Sequence, residues 1–450
     1  MRIYLKQFVI AILLSSGYGS ALADTNTGTF SLQEAIDYAL ENNPDIAIMQ
    51  ARLEQADAQL GESLASFYPQ VKASLSYMHS DNPAQAFSMI ISQRRLDLTV
   101  PNPNQAFNHP GGVDNYRPQV TALYSLFRGG QDYYRKQAAE LGVETSELEQ
   151  TATRHHLINN VTGSFYGYLA AKDAHELSLR SIEAVQSELK QSKDRFEAGT
   201  LLKSDVLSLE VQLAEAKDAE IRAANAIEMA KAMLRTLLGL PTEQDFAVNE
   251  NGNQILPASP TDFDALLDQA LIQQPELKAA EKRVAIAEQR LNAAEAAHLP
   301  KADAFVSYGS DSKNLAYSTS RDNVTAGVVV EVDVFSGFAT QEKIKQAEHE
   351  LTAAREVARK MRLQVENQVK VARLRLLEAL NREMVTSAAV EAAEEALRLV
   401  NEQRNAGVVT VTRYIEAEVA RDQAKTRDIS ARYDALRADA ELKLATGFWN

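Results

Sequence analysis

Cysteine is missing from all 450 residues, which excludes disulfide staples, thiolate metal sites, cysteine nucleophiles and lipidation of a residue behind a leader. No run approaches the ~20 consecutive apolar residues that a membrane-spanning helix needs. Positive charge is in short supply, with 47 Lys+Arg against 61 Asp+Glu, so a nucleic-acid partner, held by basic residues on phosphates, is not expected. Phosphate cradles of the form GxxxxGK[ST] or GxGxxG, GxSxG elbows and HExxH pairs are all absent. No enzymatic activity and no cofactor are expected. His155 and His156 are neighbours on a helix and cannot face one ligand together; they read as a solvated surface, and without helical His-x3-His pairs no metal site is expected.

What is present begins with a leader. Arg2 and Lys6 precede an apolar run from Phe8 to Leu14, followed by the small-x-small triplet Ala21-Leu22-Ala23. Residues 1–23 are expected to be a signal peptide, so the mature chain starts at Asp24. Losing Arg2 and Lys6 leaves 45 basic against 61 acidic residues, a net charge of −16. Such acidity suits a face on water inside a pore, and a preference for cations.

The chain repeats itself once. Residues 39–46, ALENNPDI, align with residues 270–277, ALIQQPEL, at an offset of 231, which also relates Pro69 to Pro300 and Tyr77 to Tyr308. Beyond that, Leu126-Phe127-Arg128-Gly129 answers Val334-Phe335-Ser336-Gly337, and Ala198-Gly199 answers Ala406-Gly407, now at an offset of 208. The 23-residue difference falls between Tyr77 and Phe127. There Asn82-Pro83, Pro101-Asn102-Pro103 and His109-Pro110-Gly111-Gly112 mark a long outer loop, about 79–115, with His79 and His109 in or beside it. The halves are expected at 24–239 and 262–450, joined by an equatorial linker at 240–261.

Each half reads as a helix, two strands, a very long helix, a glycine turn and a shorter helix. The long helices, about 130–198 and 338–406, would each reach on the order of 100 Å. Apolar steps of three and four, such as Ile158, Val161, Phe165 and Tyr168, fit packing against neighbouring helices. Shorter helices are expected over about 32–66, 202–238, 263–297 and 410–445, giving a coiled-coil-like assembly.

Period-two alternation replaces the helical period over about 68–78, 116–127, 300–309 and 323–335. Val71, Ala73, Leu75 and Tyr77 alternate with Lys72, Ser74, Ser76 and Met78. Strands of 9–11 residues cross a bilayer when tilted. Four strands cannot close a barrel, and an open edge in lipid strands backbone polar groups. Oligomerisation is therefore required: two copies supply eight strands around a filled interior, three supply twelve around a passage, and three is preferred.

The duplicated half with its Asn-Asn-Pro and Gln-Gln-Pro, the Leu-Phe-Arg-Gly-Gly junction at 126–130 and Arg195-Phe196-Glu197-Ala198-Gly199-Thr200 resemble TolC-type outer-membrane efflux proteins. The resemblance covers nearly the whole mature chain. It implies a mainly α fold with internally duplicated long-helix hairpins forming an α-barrel tunnel, and four strands per chain entering a shared twelve-strand trimeric β-barrel. It implies a homotrimer in outer-membrane lipid with a large periplasmic portion, working with a periplasmic adaptor and an inner-membrane pump, proton-driven or ABC, as the exit duct of a tripartite efflux or type I secretion system. Gly199, Thr200, Gly407 and Val408 would be the adaptor-docking tips. Asp205, Arg413 and Glu416 would form the tip constriction; where the family often carries an acid, this chain has Arg413. Asp205 and Arg413 are equivalent in the two halves, so inter-subunit pairs between them would hold the tip shut. The competing reading is a periplasmic helical scaffold without channel activity.

Overall fold

The computed structural model describes residues 29–99, 102, 108–249, 255–260 and 262–449. The expected leader, its cleavage point, Pro101 and Pro103 lie outside the described residues.

The chain runs β1 (Thr29–Phe30), α1 (Leu32–Asn42), α2 (Pro44–Leu64), β2 (Gln70–Ser80), α3 (Pro83–Ser92), β3 (Val113–Arg128), α4 (Gln131–Glu197) and α5 (Lys203–Leu238). It continues with β4 (Ala247–Val248), α6 (Phe263–Gln273), α7 (Pro275–Glu295), β5 (Lys301–Ser310), β6 (Asp322–Glu331), α8 (Ala339–Asn405) and α9 (Val411–Thr446). Helices α4 and α8 are each 67 residues long, about 100 Å at 1.5 Å per residue.

Two helices expected to be continuous are each broken. Asn43 and Gln274 have extended ψ of 130° and 114°, because the residue before a proline avoids the helical region. Pro44 and Pro275 then start α2 and α7 at the first helical turn, where a missing N–H costs nothing. The breaks are also joints. Asn43 Nδ2 donates to the Leu237 carbonyl at 2.8 Å, and Gln274 Nε2 to the Leu444 carbonyl at a longer 3.5 Å. Thus α2 stacks on the end of α5 and α7 on the end of α9, satisfying carbonyls that a helix terminus leaves open. Gly239 makes the first joint possible: its φ is +71°, and a Cβ there would lie 2.5 Å from the Asn42 carbonyl oxygen.

Below the joints the helices pack laterally in the order α5, α4, α9, α8, and α5 and α8 make no comparable contact with each other. The largest core lies at the joints, where Ala35, Leu157, Val161, Phe165, Leu234, Leu238 and Tyr433 gather. Beside it β1 and β4 pair in parallel, Phe30 against Val248. The second-half core uses Leu277, Val365, Val369, Leu376 and Leu442.

Strands β2, β3, β5 and β6 form one antiparallel sheet in that order. Its register places Val71, Ala73, Leu75 and Tyr77 opposite Ala122, Val120, Pro118 and Tyr116, and continues through Ala304, Val306 and Tyr308 to Val328, Ala326 and Val324. These residues share one apolar face. The other face carries Lys72, Ser74, Ser76, Gln119, Thr121, Ser307, Asn323 and Thr325. On it Gly327 accommodates the Phe305 ring, which a Cβ would meet at 3.0 Å.

Two expectations change here. Strand β6 stops at Glu331 instead of running to 335: β5 begins at Lys301, which pairs with Glu331 and leaves nothing below for Val332 or Val334 to bond. The outer loop holds helix α3, because Pro83 occupies its first turn and the Asn82 side chain accepts from the Ala84 and Gln85 N–H groups. Proline there starts a helix instead of interrupting one.

Candidate functional site: the hairpin tips

The two long helices end in matching turns. Gly199 and Gly407 take left-handed φ of +74° and +76°, the conformation that closes a helix at little cost only for glycine. Behind them Thr200 N–H donates to the Arg195 carbonyl and Val408 N–H to the Gln403 carbonyl, each at 2.9 Å. Val408 and Leu202 stand exposed at the tips. Thr200 Oγ1 also donates to Arg195 O at 2.9 Å, and Thr410 caps α9 by accepting from the Arg413 N–H.

Asp205 lies in the first turn of α5. Arg413 is exposed and pairs within its own helix with Glu416 at 3.0 Å, one turn on. A single chain does not bring Asp205 to Arg413.

Instead, a pair that counting from the glycine turns does not reach holds the two hairpins together. Glu188 on α4 and Arg404 on α8 form an ion pair with only 6% and 4% of their side chains exposed. Ser192 Oγ donates to Glu188 at 2.9 Å. The Arg404 guanidinium lies 5.0 Å from the centre of the Tyr414 ring on α9, close enough for a cation–π contact. Its Nε and Nη2 have no hydrogen-bond partner among the described residues. Next along α9, Glu418 is buried beside Arg421, and burial pushes its carboxyl above the ordinary range. Burial likewise raises the Tyr414 hydroxyl, with Glu418 and Glu188 adding to the effect. Leu189, Val206, Leu209 and Val411 pack around one side of this network, and Leu397 and Val400 around the other. The signal is present in the sequence: Glu188 falls in the stripe of Val185 and Leu189, and Arg404 follows Leu397 and Val400 at helical spacing.

Farther from the tip, Asp173 on α4 accepts from Arg432 at 3.0 Å and from the Tyr433 hydroxyl at 2.9 Å, a second tie between α4 and α9. Above the joints, His156 on α4 meets Glu276 in the first turn of α7 at 2.7 Å. His155 is buried, 2% exposed, and is not the solvated residue expected: neighbours on a helix point apart, and here His156 takes the exposed side while His155 takes the packed one. Burial lowers its pKa.

The His156 pair makes stability depend on pH. The hydrogen bond that His156 donates to Glu276 raises the His156 pKa, and the same bond lowers that of Glu276. The histidine's contribution is complete below its ordinary value and is lost as pH rises through the raised one. The glutamate's contribution is complete above its ordinary value and is lost as pH falls through the lowered one. The link is thus strongest between about pH 4.5 and 6.5. Replacing His156 by Gln should flatten the fall in thermal stability above that window, as read by melting curves at stepped pH.

Paired helical hairpins joined by a buried ion pair at one end, and at the other a sheet with one apolar face and two open edges, have the build of a membrane channel protein. The chain belongs to the outer membrane efflux protein family, whose sequence profile matches residues 35–240 and 266–448. It is an outer-membrane channel protein with a large periplasmic helical part. It is 25% identical over 437 residues to the alkaline protease secretion protein AprF of Pseudomonas aeruginosa, covering 92% of this chain and 84% of that one. To the outer membrane protein TolC of Vibrio cholerae it is 23% identical, covering 93% and 90%. The fold matches the crystal structure of a Pseudomonas aeruginosa membrane protein with a TM-score of 0.80 at 20% identity, over 92% of this chain and 93% of that one.

Proposed function

We propose that three copies of this chain close a twelve-strand barrel in the outer membrane and continue inward as a helical tunnel, the passive exit duct of a tripartite efflux or type I secretion system. The observation that carries this reading is the pair of open edges. β2 and β6 bound the sheet, and an unpaired edge in lipid costs several kcal/mol per exposed backbone group. The same sides of the periplasmic part carry exposed apolar residues in matching register. Leu207 and Ile221 on α5 lie 8 and 22 residues after Gly199, and Leu399 and Val385 on α8 lie 8 and 22 residues before Gly407. Since α5 ascends and α8 descends, these pairs fall at equal height when α5 of one protomer meets α8 of the next.

A periplasmic adaptor docks on the tips around Gly199, Thr200, Gly407 and Val408, and an inner-membrane pump, proton-driven or ABC, supplies the energy. The name of AprF speaks of protease secretion; a neighbouring gene for an ABC exporter or for a proton-driven transporter separates the two systems. The mature halves 24–239 and 262–450, with the linker 240–261 at the girth, are the units that alternate around the tunnel.

At the entrance, Asp205 of one protomer pairs with Arg413 of the next, with Glu416 beside it, adding about 0.2–1 kcal/mol per exposed pair to closure. Reversing the charge with Arg413→Glu should raise the conductance of the isolated trimer in a bilayer; unchanged conductance removes this role. The duct itself is tested by fractionation and mass in mild detergent. An outer-membrane species near three times the mature chain supports it. A soluble monomer or dimer returns the periplasmic scaffold as the reading to pursue.

A further inference from the structure

The outer end of the sheet holds a polar network that conduction does not require. Asp311, just past β5, is 1% exposed. Its Oδ1 accepts from Asn115 Nδ2 at 2.6 Å and its Oδ2 from Asn323 Nδ2 at 3.1 Å, with Arg117 Nε at 3.6 Å. Gln93, fully buried at the end of α3, donates from Nε2 to Asn115 Oδ1 at 2.9 Å and to the Asp114 carbonyl at 2.7 Å. Arg95 then donates to Gln93 Oε1 at 3.0 Å, and Arg94 reaches the Asp322 carbonyl at 3.3 Å.

The side of the sheet on which this happens is decided by register. Asn115 lies opposite Met78, two residues past Ser76, and Asn323 opposite Gly309, two past Ser307. With side chains alternating, Asn115, Arg117 and Asn323 share the face of Ser74, Ser76, Gln119 and Ser307. That is the polar face, which a closed barrel in lipid turns inward. Residues 93–95 therefore cross three strands, from Asp114 on β3 past Asp311 to Asp322 on β6, along the inner wall at the outer mouth.

We propose that α3 and the turn after it form an inward-folded strap at the exit of the duct, clasped by Gln93 and Asp311, so that three straps narrow the outer mouth. This rests on the channel reading above. The strap is built as a defined element: Asn82 caps α3, Ala86 and Met89 are buried, and Arg94 closes the helix with a left-handed φ of +53°. Its anchor is a buried carboxylate that accepts from two amide donors and pairs with the Arg117 guanidinium, and such a network holds one arrangement strongly only while every member is satisfied. The strap sets an outward size limit and blocks large solutes from entering from outside. It is a separate barrier from the tips, at the opposite end of the passage.

Because the chain has no cysteine, a single Ser74→Cys places one thiol on the polar face below the strap. Intact cells carrying this full-length variant are treated with a small charged methanethiosulfonate or with a polymer-coupled maleimide, neither of which crosses membranes. The small reagent should label the introduced thiol readily, and the polymer should label it slowly. Adding Gln93→Ala or Asp311→Ala should raise the polymer rate by about tenfold or more, as expected when a two-state element loses a buried hydrogen-bonded clasp, while the small reagent's rate stays unchanged. Gln93→Ala removes the strap's own anchor and leaves the β5–β6 network intact; trimer mobility on unheated gels verifies assembly of both. Equal polymer labelling with and without the clasp overturns the strap. Failure of even the small reagent to reach the thiol at position 74 overturns the channel reading instead.

Discussion

Replacing Arg404 by Ala should open the tip of the isolated channel, raising its conductance several-fold and making cells more sensitive to large antibiotics. The reason is the burial of Glu188, with only 6% of its side chain exposed. Without Arg404 that carboxylate keeps only the Ser192 hydroxyl, and breaking a buried pair by removing one partner costs about 3–5 kcal/mol. The helices α4 and α8 belong to different hairpins, so the cheapest relief is to part them and let water reach Glu188. Removing both charges with Glu188→Leu and Arg404→Leu should restore much of the closure, because well-packed apolar side chains replace a buried pair at little cost. The exposed Arg413–Glu416 pair gives the contrast: solvent screens it, and its loss alone should change tip stability by under ~1 kcal/mol. If Arg404→Ala conducts like the parent, the buried pair is not what holds the hairpins together.

Val328→Arg should abolish outer-membrane assembly. Val328 lies mid-strand on β6, opposite Ala304 on the apolar face. A charge near the bilayer midplane on the lipid side of a barrel costs about 2–4 kcal/mol, and the proposed three-chain barrel would carry it three times. Thr325→Lys, on the other face of the same strand and opposite Ser307, should assemble normally. Yield of heat-resistant trimer from outer membranes separates the two. Equal loss for both variants would contradict the assignment of faces.

The large features are legible in the sequence because they are periodic or repeated. Steps of three and four mark α4 and α8, alternation marks all four sheet strands, and the glycines at 199 and 407 stand where each long helix ends. What is not legible depends on single residues with two meanings. Pro83 can interrupt or begin a helix, and the Asn82 cap decides for beginning. Asn43 and Gln274 break otherwise continuous helical patterns because a proline follows each, and the side-chain bonds that turn these breaks into joints reach carbonyls about 170 or more residues away. Val332 and Val334 continue the alternation of β6 after its partner strand has ended, so the pattern overruns the pairing. At the tip, acids counted from the glycine turns stand out, whereas Glu188 and Arg404 are 216 residues apart and pair only because two separate hairpins pack side by side.

The most direct test of a closed three-fold duct joins the two open sides of the helical part. Ile221→Cys and Val385→Cys in one chain place thiols on α5 and α8, which lie at opposite ends of the lateral order α5, α4, α9, α8 within a protomer, so the expected cross-link bridges two copies. Oxidation in native outer membranes, followed by a denaturing gel, should give species of two and three chain masses and nothing larger. Absence of cross-links, or a ladder ending at two or running past three, would contradict the trimeric channel.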